Sequence, residues 1–139
     1  MPAQKQTDEA EVVVRLYAAM TSGDIAGARA CCKDEARFWH CFDGVPQSLD
    51  EASRAWEALT KVFCAMRVQD VRRIELPDGR WLFQQLFVAR RSEGKEIGWA
   101  VCLLVTLRDA LIDRVEEYID RAATFPIDST DTRTPGLPP

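Results

Sequence analysis

Between Met66 and Asp120 three short turn signals, Pro77-Asp78-Gly79, Ser92-Glu93-Gly94 and Arg108-Asp109-Ala110, divide the chain into four stretches that favour extended structure. The stretches are Met66 to Leu76, Trp81 to Arg90, Ile97 to Leu107 and Leu111 to Asp120. Long strands joined by tight turns run antiparallel to their neighbours, so this half of the chain is expected to be a four-stranded meander. One face of such a sheet has to be covered, and the residues before it must supply the cover.

Those residues carry a different period. Val13, Leu16, Tyr17 and Met20 fall at helical spacing after Asp8, which predicts a first helix to about Thr21, stopped by Ser22-Gly23. Asp24 is a candidate cap for a short second helix with Ile25, Ala28 and Cys32 facing inward. Ala36 to Phe42 alternates as a strand, and Ser48 or Asp50 caps a third helix with Ala52, Trp56, Leu59 and Phe63 on one face. Three helices before an antiparallel sheet define an α+β domain over residues 8–125, with residues 1–7 and the proline-rich residues 126–139 expected as flexible tails.

Charge and composition exclude several function classes. The net charge is -4, and the basic pairs Arg72-Arg73 and Arg90-Arg91 are short, so neither nucleic acid nor an anionic membrane is an expected partner. Both pairs read as solvated strand ends. The polar start and the lack of a long apolar run predict a cytoplasmic protein without a membrane span. Cys31, Cys32, Cys41, Cys64 and Cys102 show no paired spacing and read as reduced core residues; with one histidine in the chain, no metal site is expected. No phosphate loop or dinucleotide fingerprint is present, so no cofactor is expected either.

The candidate chemistry lies on two strands. In LIDRVEEYID, Ile112, Arg114, Glu116, Tyr118 and Asp120 share one parity, and a polar row of that kind fits either a ligand-filled pocket or a solvated edge. His40 shares its strand face with Phe38 and Phe42, which would desolvate the imidazole and keep it neutral near pH 7. His40, Asp120 and Tyr118 are therefore the candidate catalytic groups. Tyr17 and Gln84 are further candidate donors, with Phe38, Trp56, Met66, Leu86, Trp99, Val101 and Leu103 as the apolar wall. The opposite face of the meander would carry Trp81, Phe83, Phe87 and Ala89, too apolar to leave in water, which predicts a homodimer through the sheet.

The stretches RLYAAMTSGDIAGARACC, DEARFWHCFDGVPQS and LIDRVEEYID, in that order around a long helix and a meander, resemble the SnoaL-like branch of the nuclear-transport-factor-two-like superfamily, which includes ketosteroid isomerases. The resemblance covers most of Asp8 to Ala123 and implies a sheet wrapped by helices into a cone with an apolar pocket. It places His40 where steroid isomerases of the superfamily carry a general-base aspartate and where epoxide hydrolases carry a water-positioning asparagine. Asp120 falls where cyclases and epoxide hydrolases keep a catalytic aspartate. Other family positions have changed: Leu16 stands at the oxyanion tyrosine, about Leu103 at the second acid, and Leu86-Phe87-Val88 at an Arg-x-Asp.

Two functions of different class are compatible with these residues. One is a cofactor-free isomerase, cyclase or dehydratase acting on a small hydrophobic polyketide-, terpenoid- or steroid-like substrate. The other is a non-catalytic small-molecule-binding module, with an epoxide hydrolase of atypical site as a further alternative.

Overall fold

A computed structural model describes residues 9–92 and 94–127; the expected tail 1–7, Glu93 of the second turn and most of the expected C-terminal tail lie outside the described residues. The elements run α1 (Glu11–Thr21), α2 (Ile25–Ala30), β1 (Cys32–His40), β2 (Pro46–Ser48), α3 (Leu49–Val62), β3 (Ala65–Glu75), β4 (Trp81–Arg90), β5 (Ile97–Arg108), β6 (Leu111–Ile119) and β7 (Phe125–Pro126). The strands form one curved, unclosed sheet in the order β2-β1-β6-β5-β4-β3, and β7 pairs with β5. The meander β3 to β6 is antiparallel as expected, whereas β1 joins it parallel to β6.

Local chemistry sets the element ends. Gly23 takes φ 84° where α1 stops, a conformation in which a side chain would be strained. The Asp24 carboxylate accepts from Gly27 N at 2.9 Å and starts α2. Ser48 and Glu51 form a reciprocal capping box on α3, with Glu51 N donating to Ser48 Oγ at 3.2 Å and Ser48 N donating to Glu51 Oε1 at 3.1 Å. Ser48→Ala should cost about 1 kcal/mol of stability in urea denaturation. Asp109 and Ala110 both have positive φ, as a two-residue hairpin between β5 and β6 requires.

Bulges bend the sheet around the helices. In β3 the register slips between Gln69 and Arg72, with Asp70 at φ 56°, and between β5 and β6 it slips after Thr106. The concave face packs Phe83, Leu103, Val105, Ile112 and Val115 against Val13 and Leu16 of α1 in one core, and Trp56 of α3 sets its ring edge-on to Phe38 at 5.3 Å. At the far end Phe125 and Ile127 lie over Gly98, where even a methyl group would come within 2.9 Å of Ile127 Cδ1.

The sheet face expected to be open proves to be the inner one. Trp81 and Phe83 are buried in the chain's own core, Ala89 is buried, and Phe87 packs against the core. The opposite parity of β4 carries Leu82, Gln84, Leu86 and Val88. These aromatics therefore cannot supply a partner's interface, and the residue basis for a sheet-mediated homodimer is removed. Two of the cysteines are also corrected: Cys41 and Cys64 are exposed rather than core. Among the described residues no helix is long and apolar enough to cross a membrane.

Candidate active site

The concave face and the helices enclose a cavity of about 570 Å³. Leu16, Tyr17 and Met20 of α1 close one side, and Trp56, Leu59 and Val62 of α3 close another. The sheet contributes Phe38 and His40 from β1, Gln85 and Phe87 from β4, Trp99 and Val101 from β5, and Val115, Glu117 and Ile119 from β6. Phe42, Phe63, Arg91 and Arg121, just beyond strand or helix ends, also line it. The volume and the apolar lining with a few polar groups suit one small hydrophobic molecule.

Of the residues expected from sequence, His40, Tyr17, Phe38, Trp56, Trp99 and Val101 line this cavity. The others do not. Asp120 is exposed past the end of β6, where its Oδ1 accepts from Ala122 N at 3.0 Å and shapes a turn. Tyr118 is 44 % exposed on the other side of β6, tilted against Trp39 with ring centroids 5.4 Å apart. Gln84 and Leu86 have the outward parity of β4, Leu103 is sealed in the core, and Met66, opposite Ala89, does not reach the cavity.

The displaced acid has a specific cause. Leu107 pairs with Ile112 but Thr106 pairs with Arg114, so Asp113 is an extra residue in β6. A one-residue bulge transfers every later side chain to the opposite face. Ile112 therefore points inward, and after the bulge Val115, Glu117 and Ile119 do so instead of Arg114, Glu116 and Tyr118. The three-residue step between the apolar Ile112 and Val115 was the signal available in the sequence.

Glu117, which strict alternation placed on the sheet's back, is the carboxylic acid that lines the pocket. Its Oε2 lies 4.0 Å from His40 Nε2, and the two side chains are 19 % and 22 % exposed. Burial raises the Glu117 carboxyl from 4.5 to about 7. Burial lowers the His40 imidazole; the Asp43 carboxylate partly opposes this and the Arg121 charge reinforces it. Tyr17 is held firmly protonated by burial and then by the charge of Glu117.

The ring nitrogens of His40 have different surroundings. His40 Nδ1 is buried without a partner among the described residues. A bare lone pair there is the simplest state of the neutral ring, which puts the N–H on Nε2, facing Glu117. Four ångströms exceeds a hydrogen bond, so a small movement is needed for Nε2–H to donate to the carboxylate. Gln47 Oε1, also at the cavity, is a second buried acceptor without a partner.

Since Asp120 and Tyr118 are peripheral, Asp120→Asn and Tyr118→Phe should each change turnover by no more than about twofold, the scale of ordinary surface substitutions. Parallel assays of the two variants against the unaltered protein check this.

A curved sheet wrapped by helices around an apolar pocket is the ketosteroid isomerase-like class of fold. Within it the chain belongs to the SnoaL-like domain family, which matches residues 13–115. TerC, crystallised with polyporic acid, is 19 % identical and superposes with a TM-score of 0.68, covering 82 % of this chain and 92 % of that one. An LEH-like epoxide hydrolase from M. tuberculosis is 14 % identical over 82 % of this chain and 84 % of its own, with a TM-score of 0.67. A hypothetical protein with a ketosteroid isomerase-like fold from Catenulispora acidiphila, in complex with trimethylamine, is 12 % identical over 78 % of this chain and 84 % of its own, also at 0.67. At these identities the likenesses establish the fold. No curated protein matches the chain.

Proposed function

We propose that this protein is a proton-transfer enzyme working with its own side chains on a small hydrophobic carbonyl compound, with Glu117 as the base and His40 as its positioning partner. The observation that carries the reading is Glu117 itself, an acid buried in an aromatic pocket, brought to about 7 by that burial and set opposite the chain's single histidine. A group poised near neutral pH takes and returns a proton with little penalty in either direction.

The first step follows from the lining. Ionised Glu117 takes a proton from the carbon beside a substrate carbonyl, the C–H electron pair moves into a new carbon–carbon double bond, and the carbonyl pair moves to oxygen. The Tyr17 hydroxyl, kept protonated in the same cavity, is the donor available to the resulting enolate oxygen. His40 Nε2–H stabilises the Glu117 carboxylate before transfer. Return of the proton from Glu117 at another carbon gives isomerisation, and its delivery to a β-hydroxyl, which leaves as water while the enolate pair re-forms the carbonyl and a carbon–carbon double bond, gives dehydration. Cyclisation begins with the same enolate.

Family membership and the relative described as an epoxide hydrolase support catalysis over plain binding. The TerC relative crystallised with polyporic acid supports an aromatic substrate. The test is incorporation of deuterium from D₂O into a panel of hydrophobic ketones, followed by mass spectrometry. Exchange is expected in the unaltered protein for at least one aromatic member; the same exchange in the Glu117→Gln variant would contradict the assignment.

A further inference from the structure

The lip of the pocket carries two guanidinium groups that proton transfer does not use. Arg91 follows β4 and Arg121 follows β6, and both line the cavity. Read from sequence, Arg90-Arg91 was only a solvated strand end. In the structure Arg91 Cζ stands 5.7 Å over the Phe63 ring, and Arg121 Cζ stands 3.9 Å over the Phe42 ring.

The two arginines share one rim. Phe63 packs against Trp99 with ring centroids 6.0 Å apart, and the Trp99 indole N–H donates to the Arg121 carbonyl oxygen at 3.0 Å. On the far side Phe42 stacks on His40 at 5.0 Å. An unbroken run of contacts therefore leads from Arg91 through the aromatic rim to the acid/base pair.

Two features together set them apart: they are the arginines that line the cavity, and no carboxylate of the described residues pairs with them. Arg29, Arg67, Arg73, Arg80, Arg108 and Arg114 each have a carboxylate oxygen within 4.0 Å. Arg91 and Arg121 have none among the described residues, although the chain holds 22 acidic residues against 18 basic ones. Asp43, whose charge reaches His40, does not line the cavity. A guanidinium laid on an aromatic face keeps its N–H edges free, and those edges match a carboxylate or an acidic enol oxygen.

We propose that the substrates are organic anions, with a flat hydrophobic body seated among the pocket aromatics and a carboxylate or comparably acidic oxygen group held at the lip by Arg91 and Arg121. This deepens the proton-transfer reading by assigning a substrate class to the same pocket. Anchoring the anion at the lip leaves the apolar body to present its reactive carbon to Glu117. The net negative charge of the protein repels anions in general, so the arginines also select where one is accepted.

Non-reacting probes test this without requiring turnover. 2-Naphthoate and neutral 2-naphthamide are compared by calorimetry at pH 7.5 and low salt, in the unaltered protein and in Arg91→Gln/Arg121→Gln. Naphthoate should bind about 10-fold or more tightly than naphthamide, as charge-assisted hydrogen bonds allow, and the double variant should reduce the difference to about twofold. Both arginines are exposed, and an Arg91→Lys/Arg121→Lys protein, which keeps the charges, should recover part of the preference and so separate loss of charge from misfolding. Equal affinities in the unaltered protein, a preference that survives the double glutamine change, or binding of neither compound would overturn the proposal. Failure of the acid/base reading shows elsewhere, as deuterium exchange that persists in Glu117→Gln, a variant in which the naphthoate preference should be retained.

Discussion

Glu117→Gln should lower deuterium-exchange turnover by roughly 10²- to 10⁴-fold while leaving the fold intact, because a positioned acid/base group contributes about that much. The glutamine keeps the shape and polarity of the side chain but cannot accept the proton. Binding of a non-reacting hydrophobic ligand should change far less, since Trp56, Trp99 and the phenylalanines provide most of the contact. The remaining turnover of the unaltered protein should rise with pH through about 7 and then level off, as Glu117 ionises. His40→Ala should cost less than Glu117→Gln, because it removes the partner of the base rather than the base.

The same substitution should stabilise the protein above neutral pH. The folded-state Glu117 carboxyl lies at about 7 and its ordinary value is 4.5, so between those limits the native state holds a proton that the unfolded chain has released. Stability tied to this group is therefore complete below about 4.5 and is lost as pH rises through 7. The difference corresponds to about 3 kcal/mol. A neutral glutamine does not titrate, so the advantage of Glu117→Gln in urea denaturation should grow by about that amount between pH 4.5 and pH 8. In thermal unfolding it should appear as a melting temperature roughly 10 °C higher at pH 8, with the two proteins close together at pH 4.5. His40, lowered by burial, works in the opposite direction: its contribution is present above its ordinary value and lost as pH falls through its folded value, in both proteins. An acid that weakens the fold at working pH is what a catalytic position, rather than a structural one, is expected to show.

Much of this architecture was legible before any coordinates. Helical spacing from Val13 to Met20, the capping pattern at Ser48 and the three turn signals each act over a few residues, and each element formed where its local chemistry placed it. His40 was legible for a related reason: Phe38 and His40 lie beyond the irregular part of β1, so strict alternation carried through correctly. What could not be read was parity on strands whose register depends on a partner. The extra residue at Asp113 forms because β5 and β6 slip relative to each other, and it exchanged Glu117 for Tyr118 and Asp120 in the pocket. On β4 both faces are apolar, since Trp81 and Phe83 alternate with Leu82, Leu86 and Val88, so alternation alone could not say which face the helices cover. The pairing of Gln85 with Val101 and of Phe87 with Trp99 decides it. Arg91 read as part of a solvated strand end and Arg121 was not singled out, because their place at the pocket lip depends on Phe63 and Phe42, which lie far from them in sequence.

The central claim, that Glu117 titrates near neutrality opposite His40, can be tested directly because the chain has one histidine. Ring ¹⁵N shifts of His40 followed by NMR from pH 4 to pH 9 report both its own protonation and the ionisation of a carboxyl 4.0 Å away. The unaltered protein should show the imidazole titrating below its ordinary 6.5 and a second inflection near 7 from Glu117, and Glu117→Gln should abolish the second alone. A single inflection near 6.5, identical in both proteins, would contradict the account.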